Sequence, residues 1–183
     1  MEFITTLWLP IVLSAVFVFI VSSVIHMFLG YHASDVKKLP DEDRAMDALR
    51  PLNIPQGNYA MPKASGMKEM RSADYQAKVK KGPVMFLTVR SGDMGMTKSL
   101  VQWFVYSIVV SVFSAYIGVH GVGPDGNYLD VFRLVGCAAF MGYSLALFQN
   151  AIWTFNNWTA TLKSAFDGLV YALITAGTFG WLW

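Results

Sequence analysis

The stretch ITTLWLPIVLSAVFVFIVSSVIHMFL, Ile4 to Leu29, contains no Lys, Arg, Asp or Glu. A bilayer core about 30 Å thick is crossed by roughly 20 apolar residues in a helix rising about 1.5 Å per residue. This stretch is long enough to do so. Three further runs qualify: about Leu100 to Val119, Val131 to Ile152 and Leu162 to Trp183. Between the first and second runs the composition changes abruptly, because twelve of the fourteen Lys and Arg residues lie in residues 30–99. Charged residues make up 14% of the chain, against about a quarter in soluble domains, and the deficit is confined to the apolar runs. The expected fold is an all-α membrane protein with four transmembrane helices. Helix 1 falls in residues 1–32, a small insert of short helices and an extended segment in 33–97, and a three-helix transmembrane bundle in 98–183.

A secretory signal peptide carries a basic n-region and a small-x-small cleavage site. Here only Glu2 precedes the first run, and Ser22-Ser23-Val24-Ile25-His26 is a poor cleavage site. The first span therefore reads as a retained anchor. The single Cys137 lies inside the third span, so an intrachain disulfide and a Cys-based metal motif are both excluded. It reads as a small buried apolar residue.

Lys and Arg close to span ends favour the cytoplasmic side. Lys37, Lys38 and Arg44 follow the first span, and Lys80, Lys81, Arg90 and Lys98 precede the second. The insert is accordingly expected in the cytoplasm and both termini outside, with residues 120–130 as an outer loop and 153–162 as an inner one. Glu2, Asp125 and Asp130 suit the outer side, Lys163 the inner, and only Arg133 dissents. Trp8, Tyr116, Tyr128, Trp181 and Trp183 would form an outer aromatic belt, with Tyr31, Trp103, Trp153 and Trp158 as the inner one.

Helices associate in lipid through close approach of small residues. The fourth span carries Gly168, Ala172, Ala176 and Gly180, the third Ala138, Gly142 and Ala146, and the second Ser107, Ser111 and Ala115. The first span, rich in Val, Ile and Phe with Ser14, Ser22 and Ser23 as its small polar positions, is expected at the edge of the bundle. In the insert, Leu39-Pro40-Asp41-Glu42-Asp43 reads as a helix start, ending before Pro51. Pro51, Pro55, Gly57 and Pro62 mark irregular chain. Ser72 could open a second helix towards Gly82-Pro83, and residues 84–89 read as extended.

One polar constellation falls at a single depth near the inner boundary: His26, Gln102, Gln149, Asn150 and Asp167. Ionisable residues inside a span are costly and often functional, and His26 with Asp167 would make a proton-linked pair. The competing reading is structural and carries more weight. Residues within a turn or two of the interface stay hydrated, and Asp167 early in its helix suits the dipole, with Lys163 one turn away. His26 and His32, six residues apart on one helix or its end, make no convincing axial pair for haem. Asp41, Glu42, Asp43 and Asp47 lack the calcium-loop spacing, and Ser91 to Lys98 lacks the glycine spacing of a phosphate loop. Met94 and Met96 are weak soft-metal candidates. Lys78, Lys80 and Lys81 form a juxtamembrane basic patch suited to anionic lipid headgroups, and Arg133 can snorkel to headgroups or pair with Asp130. Asn157-Trp158-Thr159 matches a glycosylation triplet on the wrong side. No catalytic, cofactor or metal residue is assigned, and nothing points to nucleic acid.

The runs Leu7-Trp8-Leu9-Pro10, His26 to His32, Leu39 to Asp43, Lys81-Gly82-Pro83-Val84 and Thr175 to Trp183 resemble small uncharacterised bacterial membrane proteins. The resemblance implies a bacterial inner-membrane setting and supplies neither an activity nor functional residues. The expected function is that of an accessory, non-catalytic subunit of a larger membrane complex, respiratory or photosynthetic, with other membrane subunits as partners. The alternatives are a small oligomeric proton-linked transporter and a membrane enzyme working at the inner interface, both using Asp167 and His26.

Overall fold

A computed structural model describes residues 2–92 and 95–183. In chain order the elements are α1 (Glu2–Thr6), α2 (Trp8–Phe28), α3 (Glu42–Leu49), β1 (Gly57–Met61), α4 (Met67–Met70), α5 (Ala73–Lys81), β2 (Met85–Val89), α6 (Thr97–Gly121), α7 (Tyr128–Phe140), α8 (Leu147–Trp153) and α9 (Trp158–Leu182). A π-helical turn, Met141–Leu145, joins α7 to α8. The chain divides into two compact units, one formed by residues up to Lys37 together with Met96–Trp183, the other by Lys38–Gly95.

The first unit is a helical bundle. Four of its helices are long and apolar enough to cross a membrane: α2, α6, the continuous stretch Tyr128–Trp153, and α9. The chain is thus a mostly helical, multi-pass membrane protein. The third and fourth helices begin a few residues before their apolar runs because polar caps lie there. The Asn127 side chain accepts hydrogen bonds from the Leu129 and Asp130 amides at 3.0 and 3.2 Å, and Asn157 accepts from the Thr159 amide at 2.9 Å. The break between α1 and α2 has a local cause: Pro10 has no N–H to return to the Thr6 carbonyl. The course stays helical across it, with Leu7 N to Phe3 O at 2.8 Å and Ile11 N to Leu7 O at 3.1 Å.

Half of the apolar window of α9 is buried, against a third or less in the other spans, so α9 is the central helix. Its small residues explain why. A Cβ on Gly168 would stand 2.2 Å from Ser144 Oγ and 3.0 Å from the Tyr143 carbonyl oxygen, and one on Gly180 2.8 Å from the Tyr128 ring. Ala176 is fully buried, and a Cβ on Gly136 would meet its methyl at 3.0 Å. The π-turn carries Ser144 into this seam, where its hydroxyl donates to the Ala165 carbonyl at 3.1 Å. One apolar core centres on Val18, Val110, Ala139 and Ala172, a second on Ile11, Ala115, Val131, Val135 and Phe179.

Three expectations about packing are corrected. The first span is not an edge helix: Ser14 is fully buried and lies 3.0 Å from Ser111 Oγ of α6, and Ser22 accepts the Trp103 indole N–H at 2.9 Å. Its few small polar residues are the contact surface itself, so counting small residues misjudged it. Trp103 accordingly turns inward, while Trp8, Trp153, Trp158 and Trp181 are exposed. Ala146 and Cys137 are exposed rather than buried, because the π-turn and the helix phase carry them to the outer face. A double-mutant cycle on Ser14→Ala and Ser111→Ala is expected to give a coupling of about 0.6 kcal/mol, the usual worth of one interhelical hydrogen bond in lipid. Unfolding of the four proteins in mixed detergent micelles measures it.

The second unit holds α3 to α5 and a two-stranded antiparallel sheet in which Gly57 pairs with Val89 and Met61 with Met85. The strand β1 corrects the reading of residues 55–62 as irregular and makes the fold not strictly all-α. Gly57 and the flanking prolines disguise a run, Asn58-Tyr59-Ala60-Met61, that finds its partner in Met85–Val89. Ser72 caps α5 by accepting from the Tyr75 amide at 3.2 Å. None of the described residues of this unit is buried, as befits a piece too small for a core of its own.

Candidate functional site

The site lies at the end of the bundle where α2 finishes and α9 begins. Helix α2 stops at Phe28, and Gly30 takes a left-handed conformation, φ 64°. Only residues tolerant of that region serve there, and glycine does so without strain. The chain then folds back as a short 3₁₀ turn, Tyr31–Ser34. A continuous helix would have separated His26 from His32 by about 9 Å along its axis. Folding back instead brings the two imidazole rings to 4.6 Å between centroids. His32 thus lies just past the end of the helix that carries His26, one of the two placements its spacing allowed.

Asp167, on the second turn and a half of α9, is the focus. It is 2% exposed, which corrects the expectation that it stays hydrated. Its Oδ2 lies 2.7 Å from His32 Nε2, and its Oδ1 accepts the Tyr31 hydroxyl. The other nitrogen of His32, Nδ1, lies 2.5 Å from Asp35 Oδ2. Asp35 Oδ1 in turn accepts from Lys163 Nζ at 2.7 Å, and the same ammonium donates to the Tyr31 carbonyl at 2.6 Å and to Ser34 Oγ at 3.0 Å. Carboxylate, imidazole, carboxylate and ammonium thus form one chain, Asp167–His32–Asp35–Lys163. Lys163 serves Asp35 rather than Asp167, a second correction. Its hydrogen bond, followed by that of His32, holds the Asp35 carboxyl below its ordinary pKa. The Lys163 ammonium and the Asp35 carboxylate offset each other at 2.7 Å, which is what lets such groups leave water.

His26 completes the group. One ligand-capable atom each from His26, His32 and Asp167 lies within 4.8 Å of the others. Among the described residues His26 makes no hydrogen bond, and it is the exposed member of the three. It lines a mostly apolar cavity of about 290 Å³ with Ser22, Ser23, Met27, Leu100 and Trp103. A second cavity, of about 390 Å³ and with a mixed polar and apolar wall, adjoins Asp35 and includes Leu147, Asn150, Asn156, Asn157 and Thr161.

Of the residues expected at this depth, His26 and Asp167 come together, and Asn150 lines the cavity next to Asp35. Gln102 and Gln149 are exposed and bond to none of these groups among the described residues. Tyr31, His32 and Asp35 were not foreseen in the cluster, and Lys163 was expected only as a helical neighbour of Asp167. The signal for them was Gly30 directly after the apolar run, a helix stop that frees the next residues to turn back. Elsewhere, Arg133 is exposed and pairs with Asp130 at 3.8 Å, and Lys78, Lys80 and Lys81 are exposed at the end of α5. Asp93 and Met94, from the segment compared with a phosphate loop, lie outside the described residues.

The chain matches no protein-family model, no curated protein and no solved structure.

Chemically, the cluster has two capabilities. Its hydrogen bonds give a proton a path between imidazole and carboxylate, and it brings two imidazole nitrogens and a carboxylate oxygen within 4.8 Å of one another beside an apolar cavity.

Proposed function

We propose that the protein is a bacterial inner-membrane enzyme that acts at the cytoplasmic interface on an amphipathic, membrane-dissolved molecule. The insert is cytoplasmic and both termini lie outside, as the charge distribution favours. The observation that carries the reading is the position of His26. It is an unbonded imidazole in the wall of an apolar cavity within a span, backed by the nearly buried Asp167 and its partners. An apolar cavity with a few polar groups converging on it is the ordinary form of a small-molecule site, and an ionisable group inside a span marks function by default. Ser23 and Ser99 in the cavity wall would meet the polar head of such a substrate. The basic patch Lys78, Lys80 and Lys81 would meet anionic headgroups.

The test compares lipid and quinone extracts, by mass spectrometry, from cells lacking the gene and complemented with wild type or His26→Ala. Accumulation in the His26→Ala cells of a species that wild type consumes supports the enzyme. The second reading, an accessory subunit, is favoured by the same network acting as a clasp between the end of α2 and the start of α9. Identical extracts, with a stoichiometric set of larger subunits co-purifying in mild detergent, would put that reading in its place.

A further inference from the structure

We infer that His26, His32 and Asp167 together bind one divalent transition-metal ion of the zinc or iron(II) type, with an open coordination position facing the cavity beside His26. The inference deepens the reading above by naming the cofactor of the same site.

The donor set comes first. Two imidazoles and one carboxylate, with no thiolate, suit zinc and iron(II), whereas calcium and magnesium are held by oxygen. Cys137, the chain's one thiol, is exposed on α7 and takes no part. Three protein ligands with a further position left open is the pattern of catalytic rather than structural sites.

Distance comes second. Ligands at about 2.0–2.2 Å from a tetrahedral metal stand about 3.4 Å apart, and the three atoms here are within 4.8 Å of one another. His32 Nε2 and Asp167 Oδ2 stand 2.7 Å apart, and a metal between them spreads them slightly. His26 closes the remaining gap, and it is the member without hydrogen bonds to restrain it.

The third observation is independent of the first two. Metal-bound histidine almost always gives its other ring N–H to a carboxylate or carbonyl, which fixes its tautomer and direction. His32 has that arrangement: Nδ1 faces Asp35 at 2.5 Å, leaving Nε2 directed at Asp167. Asp35 is itself tied to Lys163 at 2.7 Å, so its charge is offset and it stands behind the ligand as a positioning residue. Tyr31 holds the other oxygen of Asp167, leaving one oxygen for the metal. A network serving only as a clasp has no need of His26, which contributes no hydrogen bond to it.

Cobalt(II), whose visible spectrum reports coordination, is the probe. The full-length protein, purified in mild detergent, is treated with chelator and titrated with cobalt(II) alone, then challenged with zinc. The expected result is one cobalt per chain with tetrahedral-type absorption, displaced by zinc. His26→Ala, at an exposed position, is expected to keep the fold and to weaken binding by more than about 100-fold. Asp35→Asn is expected to weaken it by about 10- to 100-fold, the range for a residue behind a ligand, and to shift the spectrum, which a clasp role would not do. Wild-type protein that is folded and takes up no cobalt would overturn the inference, as would binding unchanged in both His26→Ala and His32→Ala. Stoichiometric cobalt with unaltered membrane extracts in His26→Ala cells would overturn the enzyme reading and leave the metal site. A His26-dependent change in extracts without metal uptake would do the reverse.

Discussion

Replacing Gly168 by alanine is expected to destabilise the bundle by about 3 kcal/mol, the upper part of the range for overpacking a core. The added methyl would stand 2.2 Å from Ser144 Oγ and 3.0–3.1 Å from the Tyr143 carbonyl group. The hydroxyl cannot simply swing away, because it is bonded to the Ala165 carbonyl and its residue is fully buried. The backbone contact cannot yield without moving the π-turn. Ser144→Ala in the same chain should recover part of the loss by removing the nearer of the two contacts. Gly66, in the other unit, has nothing within 4 Å of a Cβ, and Gly66→Ala serves as the neutral control. Thermal unfolding in detergent, followed by circular dichroism, reads all three. An equal response at Gly168 and Gly66 would contradict the packing of α9 on the π-turn.

Removing the Asp167 side chain should cost a similar amount by a different route. Breaking a buried ion pair costs about 3–5 kcal/mol, because the group left behind is unpaired. Here His32 keeps Asp35 as a partner, so Asp167→Ala is expected at the lower end, about 3 kcal/mol. The Tyr31 hydroxyl also loses its acceptor, adding to the penalty. Asp167→Asn keeps an oxygen for Tyr31 and should lose about 1 kcal/mol. The ordering Ala below Asn below wild type in unfolding temperature checks the assignment. Equal temperatures for all three would mean that Asp167 is hydrated rather than enclosed.

Much of the architecture was legible in the residues. The four apolar runs became the four spans, and the capping asparagines at 127 and 157 explain the few residues by which the helices exceed them. The insert's helix at Ala73–Lys81 starts where Ser72 said it could. What could not be read was pairing. Strand β1 is recognisable only beside β2, since its own composition reads as loop. The first span's serines look too few to make an interface until Ser111 and Trp103 are seen opposite them.

The site was half legible for the same reason. Depth in the membrane follows from counting along each helix, so His26 and Asp167 could be placed at one level. Which side of each helix faces inward, and where a chain folds back after its helix ends, are set by tertiary contacts. Gly30 announced the turn, but nothing local told that Tyr31, His32 and Asp35 would land on Asp167 and Lys163. Those two positions, one turn apart on α9, read as a helical pair and are instead each bonded to the returning segment, Asp167 to His32 and Lys163 to Asp35 and the Tyr31 carbonyl.

Everything proposed for this protein depends on that returning segment closing over Asp167 in a bilayer. Solid-state NMR of the full-length protein in lipid, with nitrogen-15 in histidine side chains and carbon-13 in aspartate carboxyls, tests it most directly. A through-space correlation between one histidine ring nitrogen and an aspartate carboxyl, corresponding to the 2.7 Å approach of His32 Nε2 to Asp167 Oδ2, is expected. It should vanish in Asp167→Asn, while the correlation to Asp35 persists. The absence of any histidine-to-aspartate correlation in wild-type protein would contradict the closed site, and with it the enzyme and metal readings together.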